Sequence, residues 1–480
     1  FFMNKSKEKL VIFPPGKAST YYTMLPPTLK ELGAYSFYYI RNLENVTIPK
    51  LVMKIGEHAF DMCKKLDAIA FLGEEPIPAA NVDETAFYAP NIDKTKIDIC
   101  VREDAYNKYK THPLWKQFGV ITKSFKVNTD GNGNVEYFPL SRKAVSLVDV
   151  QSDVFTLLVP KTVKNGATDY AVKLIADYAF DTSQTNVNEV VVKADVDYIG
   201  IKAFQKKNGT TTVKNVFFIG KTPAVDLSSV KWELPVGNEE FTTQKIYVKK
   251  SAEDAYKTAW SKYASKISYK IPDVNIAKKY GTFAREFDTD FSEYYKEKND
   301  TKVAAFVAGS NILPGGGDYG TSTYHVKMWS IDEKGGASGN YGYVPAGTGV
   351  LLKVLDREST PADFYYTIGE KDNVSYTVSD NIMHGVTVRS SRVEASAADP
   401  VYVMQGGVFR KATSPISNFP VHRAYMKTRA LPAGAKIMLV FDETGGSTTS
   451  IEIITEGKAA NADDVYYNLN GQRVIKPQHG

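Results

Sequence analysis

From residue 25 onward the apolar positions recur at a spacing far longer than that of a lone helix or strand. Leu32 and Ile55, Phe37 and Phe60, Leu43 and Leu66, and Val46 and Ile69 all match at a spacing of 23. The dipeptides Leu25–Pro26 and Ile48–Pro49 follow the same step. The shared frame is apolar-Gly-x-x-small-Phe, then a polar turn, then Leu-x-x-apolar-x-apolar, whose last part alternates as a short strand does. A second pair of copies lies further along. There Ile175 and Ile199, then Phe180 and Phe204, repeat at 24, while Val190 and Val216 stretch to 26. A unit of this length with one short strand cannot bury its own apolar face, so its neighbours must cover it. Fixed apolar positions with slightly variable loops therefore predict stacked coils.

Each set of coils ends alike. "IDICVREDAYNKYKTHPLWKQF" (97–118) and "KIYVKKSAEDAYKTAWSKYASKI" (245–267) both read as a strand leading into an amphipathic helix. Both carry Glu-Asp-Ala-Tyr and a later tryptophan, Trp115 or Trp260. Such a helix closes the open end of a stack. Residues 1–123 and 124–270 are thus expected to be two copies of one capped module.

The frame built by Ile55, Gly56, Ala59, Phe60, Cys63, Leu66 and Ile69 resembles the leucine-rich repeats of the BspA type, found on surface and secreted proteins of oral and gut anaerobic bacteria. Ser36 replaces the small Ala in the first copy, and only one copy has the Cys. The resemblance implies a right-handed solenoid and adhesion to host or bacterial surface proteins.

After residue 270 the pattern changes. "KVAAFVAG", "GVLLKVL", "FYYTIG", "VYVMQGGVFRK" and "AKIMLVFD" are strand-like runs separated by Gly- and Pro-rich turns. They predict an antiparallel β-sandwich over 271–449. Gly406–Gly407 sits where a hairpin turn needs positive φ. "VPAGTGVLL" (344–352) and "LPAGAKIML" (431–439) echo each other as turns leading into strands. This half resembles the β-sandwich that follows such repeats in secreted proteins of the same bacteria. Beyond the linker-like "DETGGSTTS" (442–450), residues 450–480 resemble the start of a C-terminal β-rich sorting or attachment segment, and both chain ends read as trimmed. The expected fold class is mainly β with short helices.

Composition narrows the function classes. Hydrophobic residues make up 43% and charged residues 24%, as in a chain with real cores. The net charge of +5 over 480 residues is mild, and the lysines form no basic stripe, so nucleic acid is not an expected partner. No run approaches the roughly 18 apolar residues of a spanning helix. Two cysteines cannot form a disulfide framework or a four-ligand zinc site.

Catalytic constellations fail on spacing. His58 and Cys63 suggest a nucleophile with its base, but five residues apart they lie on different sides of a helical turn, and Cys63 falls on an inward frame position. "NTDGNGNVE" (128–136) places Asn128, Asp130, Asn132 and Gly133 as a calcium loop would, yet Pro139 stands where the bidentate Glu is needed, and a tight turn is expected instead. "GSNILPGGGDYGTST" (309–323) lacks the Lys of a phosphate loop and reads as a mobile surface loop. The six histidines show no zinc spacing, and no Gly-x-Ser-x-Gly elbow appears. No catalytic residue, metal or cofactor is expected.

The positive expectation is binding. Stacked short strands leave a face of outward residues: Glu44, Asn45 and Thr47; Asp67, Ala68 and Ala70; Asn188, Glu189 and Val191; Lys214, Asn215 and Phe217. Among them Phe217 is the expected anchor, an outward aromatic among polar neighbours. The leading expectation is a non-enzymatic adhesion protein, cell-surface or secreted, whose partners are host or bacterial surface proteins. One alternative is a carbohydrate-binding protein whose exposed tyrosines stack on sugar rings. The other is an accessory enzyme with its site in the β-sandwich, which requires a cleft holding a carboxylate of shifted pKa.

Overall fold

The 23-residue step is a physical one, because backbone pairing runs from each coil to the next. In a computed structural model the strands Asn45–Ile48, Ala68–Phe71, Asp98–Val101 and Ile121–Lys123 pair in parallel, with Val46 opposite Ile69 and Ile69 opposite Ile99. Across the coil a second parallel ladder joins Lys9–Ile12, Glu31–Leu32 and Lys54–Ile55. The structure describes all residues except 89, 129–133, 153, 182–186, 221–243, 299–300, 315–322, 332–341, 371–377, 379, 430, 433–435, 443–450, 455–465, 468–472 and 475–480. The chain forms two compact units, residues 1–246 with 254–266, and residues 247–253 with 267–480. It is mainly β, with a few short helices.

In the first unit the frame residues fill the space between the two ladders. Leu32, Phe37, Leu43, Val46 and their counterparts Ile55, Phe60, Leu66, Ile69 are all buried in one core. The phenylalanines stack as a spine: Phe13 to Phe37 at 4.8 Å, Phe37 to Phe60 at 4.8 Å, and Phe60 to Phe87 at 5.0 Å between ring centroids. Such offset ring contacts add about 0.5–1.5 kcal/mol each beyond area burial. Gly56 is needed because the neighbouring coil passes directly over it; a Cβ there would meet the Ala34 nitrogen at 2.7 Å. The helix Tyr106–Thr111 and the turn Trp115–Gln117 then close this set of coils. Trp115 is fully buried against Phe71 (4.8 Å), and its indole N–H donates to the Ile77 carbonyl at 3.0 Å.

Residues 125–218 begin differently from a plain repeat. Phe125–Asn128, Asn134–Pro139 and Ala144–Gln151 form an antiparallel meander. Ala144–Gln151 then pairs in parallel with Thr168–Ile175, which continues to Tyr198–Ile199. The second ladder is parallel throughout: Thr156–Val159, Glu189–Val192 and Asn215–Phe218. The helix Glu253–Ala259 ends at Trp260, whose ring meets Phe218 at 5.1 Å. Asn128 and Asn134 are antiparallel partners, and the turn expected over 129–133 lies outside the described residues.

The second unit holds a six-stranded sheet in the order Tyr280–Phe283, Val350–Val354, Val303–Pro314, Thr323–Ser330, Lys436–Asp442, Ile451–Ile454. A four-stranded sheet of Met383–Val386, Arg423–Lys427, Val401–Gln405 and Val408–Ala412 shares a core with it, Phe306, Met328, Leu351 and Phe441 being clustered with Met383, Tyr402 and Met426. Three expectations need correction here. Thr323–Ser330 and Lys436–Asp442 pair in parallel, not antiparallel, because the chain visits the other sheet between them and returns in the same direction. Gly309–Pro314 lies in the strand Val303–Pro314, where its backbone pairs with Thr323–Ser330, and only 315–322 fall outside the described residues. A helix, Ser292–Lys298, stands where only strands were read. The hairpin at Gly406–Gly407 does form, with Gln405 opposite Val408 and both glycines at positive φ. The tail beyond 455 is outside the described residues apart from two short paired strands, Tyr466–Tyr467 and Arg473–Val474.

Candidate functional site

The outward strand face is mostly not a surface. Asn45 and Thr47 are buried, as are Glu189 and Phe217; Glu44, Asp67, Asn188 and Asn215 are half-buried, and Lys214 alone of these is exposed. For the first coils the cause lies within the same unit. Ala70 and Cys100 on that face pack against Phe138, Leu140, Ala144 and Leu174 from the next set of strands. The small side chains of the face let a second sheet approach closely. Polar groups at its rim are engaged by the turn after Pro139. Lys143 pairs with Glu44 at 2.9 Å, and Arg142 with Asp98 at 2.6 Å. Burial pushes the Asp67 carboxyl above its ordinary value, against the pull of Arg142 and Lys143. Asn45 donates to the Ser19 carbonyl at 3.1 Å, and Glu189 accepts from Thr156 and Asn215 at 3.3 and 3.2 Å. Phe217, the expected anchor, is fully buried and offers nothing to a partner.

A sequence signal for this burial was present. "AIAF", "DICV", "EVVV" and "NVFF" are nearly continuous apolar runs, the mark of strands covered on both faces, and not the alternation of a strand with one wet side.

Exposed aromatic surface lies instead on the turns that carry the frame phenylalanines. Tyr35, Tyr38, Tyr39 and Tyr88 are each 41–48% exposed. With His58 they form one row. Ring centroids lie 6.1 Å apart for Tyr39–Tyr38, 5.6 Å for Tyr38–Tyr35, 5.2 Å for Tyr35–His58 and 5.5 Å for His58–Tyr88. The row crosses three coils because the turns are themselves bonded coil to coil. The Tyr35 N–H donates to the Glu57 carbonyl at 2.8 Å, the Tyr39 N–H to the Asp61 carbonyl at 3.0 Å, and the His58 N–H to the Thr85 hydroxyl at 3.1 Å.

Polar groups are fixed along the row. The buried Asp61 carboxylate is bonded to His58 Nδ1 at 3.1 Å and accepts from Asn91 at 2.8 Å. The exposed Glu57 lies beside the Tyr35 hydroxyl, and the Arg41 guanidinium covers the Tyr39 ring at 4.4 Å. Lys64 and Lys65 are exposed nearby in the chain. Cys63 is not a nucleophile beside the row's His–Asp pair: it is buried, donates to the Phe37 carbonyl at 2.9 Å, and burial pushes its thiol up to about 12. Glu57 and His58 fall between frame positions, and nothing in the 23-residue pattern joins them to Tyr35, Tyr38 and Tyr88.

Elsewhere, Glu286 and His422 of the second unit come within 3.8 Å. Arg285 sits 2.7 and 2.9 Å from the two ring nitrogens of that histidine. Burial, with Arg285 beside it, pulls His422 down to about 2. A fixed cation at the imidazole opposes a metal ion there.

Comparison with known proteins follows the same coils. The family model described as BspA type leucine rich repeat region matches residues 18–110, in six copies. No curated protein matches the chain. Among solved structures, a leucine rich cell surface protein from Faecalibacterium prausnitzii A2-165 is 21% identical over 40% of this chain, with a TM-score of 0.15. The match spans 59% of that protein's own chain.

Proposed function

Residues 18–110 of this chain are a BspA-type leucine rich repeat region, and from that premise we propose that the protein is a non-enzymatic adhesion protein of the bacterial surface, or a secreted one. In this reading residues 1–123 and 124–270 are two capped modules of a right-handed solenoid. Residues 271–449 are a β-sandwich, and 450–480 begin a sorting or attachment segment. Among the described residues no helix is long and apolar enough to cross a membrane.

The observation that carries the binding role is the exposed row from Tyr39 to Tyr88. Clustered, partly exposed aromatics set among polar groups are the residue types that dominate binding energy at contact surfaces. The strand face is the weaker candidate, since its own chain covers most of it.

Attachment of the purified chain to immobilised extracellular-matrix and bacterial-surface preparations tests the reading. Tyr38→Ala with Tyr88→Ala is expected to abolish attachment, and Lys214→Ala on the strand face to leave it intact. Attachment that survives the double substitution and is lost with Lys214→Ala would place the contact on the strand face and sink this assignment.

A further inference from the structure

The aromatic row has a feature that the repeat fold does not require. The frame holds the second residue before Phe37, Phe60, Phe180 and Phe204 in the left-handed region: Tyr35 (φ 58°), His58 (48°), Tyr178 (52°) and Lys202 (49°). That backbone favours glycine or asparagine and gives no advantage to an aromatic ring. The second set of coils shows as much, since Lys202 fills the same place as Tyr35 and His58. The stacking of Tyr35 on His58, edged by Tyr38 and Tyr88, is thus a property of the surface of the first coils and not of the backbone.

We propose that this row binds a neutral linear polysaccharide, laid along the stack with about one sugar ring per coil. The inference rests on the adhesion reading and names its partner class. Three observations lead to it. The first is spacing: the two equivalent rings, Tyr35 and His58, lie one coil apart at 5.2 Å from centroid to centroid, with Thr85 at that place in the third coil. An extended peptide presents same-face side chains only every ~6.7 Å, two residues of its rise, and falls out of step with that ladder. The rise of one pyranose ring along an extended glycan stays in step with it.

The second is chemistry. Ring edges and the Tyr35 hydroxyl lie along the row beside the exposed Glu57 carboxylate and the half-buried His58 ring. A pyranose offers the complement, C–H patches between hydroxyls that donate to fixed acceptors. The aromatic residues supply contact area at low entropy cost, and a polar tip. The third is charge. Within the row the exposed Glu57 carboxylate is matched by the Arg41 guanidinium over Tyr39, and Asp61 is buried, so the row itself favours neither a sulfated nor a cationic polymer.

Affinity electrophoresis through gels containing galactomannan, xylan or mixed-linkage β-glucan tests the proposal on the whole chain. At least one of these probes is expected to retard it, with little sensitivity to salt. Tyr38→Ala with Tyr88→Ala should weaken that retardation by about tenfold or more, since two stacking contacts of roughly 1 kcal/mol each are lost. Tyr178→Asn, at the matching place in the second set of coils, should leave it unchanged, and thermal melts of both variants check that they fold. Absence of retardation by all three probes overturns the proposal, as does retardation that the double substitution leaves intact. If the row is needed for attachment to matrix protein while every glycan is silent, the polysaccharide is wrong and the adhesion reading stands. If the row matters to neither, both fail.

Discussion

At the scale of single residues the repeat imposes two demands, of which only one shows in the sequence. The apolar frame and its glycines are legible because each has a direct packing consequence: Phe37 and Phe60 stack at 4.8 Å, and Gly56 leaves no room for a side chain. The left-handed turn residue is not legible, because tyrosine, histidine and lysine occupy it and none of them announces positive φ. Holding a residue with a Cβ there costs on the order of 1 kcal/mol. Lys202→Gly should therefore raise stability by roughly 0.5–1 kcal/mol, after the larger unfolded-state entropy of glycine is allowed for. Chemical denaturation of the variant beside the parent measures this. A loss of stability would mean that the lysine side chain contributes more than its backbone costs.

At the scale of elements the strands of the repeats are legible in the sequence and those of the second half less so. The strand-then-helix endings at Asp98–Val101 with Tyr106–Thr111, and at Lys245–Val248 with Glu253–Ala259, follow from the shared Glu-Asp-Ala-Tyr and the later tryptophan. The helix Ser292–Lys298 is not legible in the sequence because contacts distant in sequence hold it. Burial alone would raise the Glu297 carboxyl, but hydroxyl bonds from Tyr269 and Tyr365, with Lys270 at 3.0 Å and Lys250 at 3.3 Å, bring it down to about 2. A carboxyl whose folded pKa lies below its unfolded value contributes stability that is present above about pH 4.5 and is lost as pH falls towards 2. Glu297→Gln is therefore expected to be less stable at pH 7 and to show a flatter loss of stability between pH 4.5 and 2. Far-ultraviolet circular dichroism during acid titration reads that slope. Equal slopes in variant and parent would remove Glu297 from the acid response.

At the scale of the whole molecule, the period was enough to place the coils but not to say which surface they leave free. Outward strand residues are free only if nothing packs on them, and that depends on a later part of the chain. Phe138, Leu140, Ala144 and Leu174 cover Ala70 and Cys100, and the turn at Arg142–Lys143 engages Asp98 and Glu44. The continuous apolar runs mark strands covered on both faces, whereas the repeat frame alone treats Glu44, Asn45 and Thr47 as outward. The tyrosines sit between frame positions, where a search for apolar matches does not look.

The central claim is that the strand face of the first coils is closed by its own chain and the turn side is left for partners. The two cysteines report on it separately. Cys63 lies in the core between the ladders, and Cys100 lies on the strand face itself. Burial pushes both thiols up to about 12, so the folded protein should modify neither at neutral pH, whereas the unfolded chain should modify both. The direct measurement is mass spectrometry of the native chain after brief exposure to a thiol-alkylating reagent. The account predicts no label at either position. Rapid labelling of Cys100 with Cys63 still protected would show the face open and would contradict it.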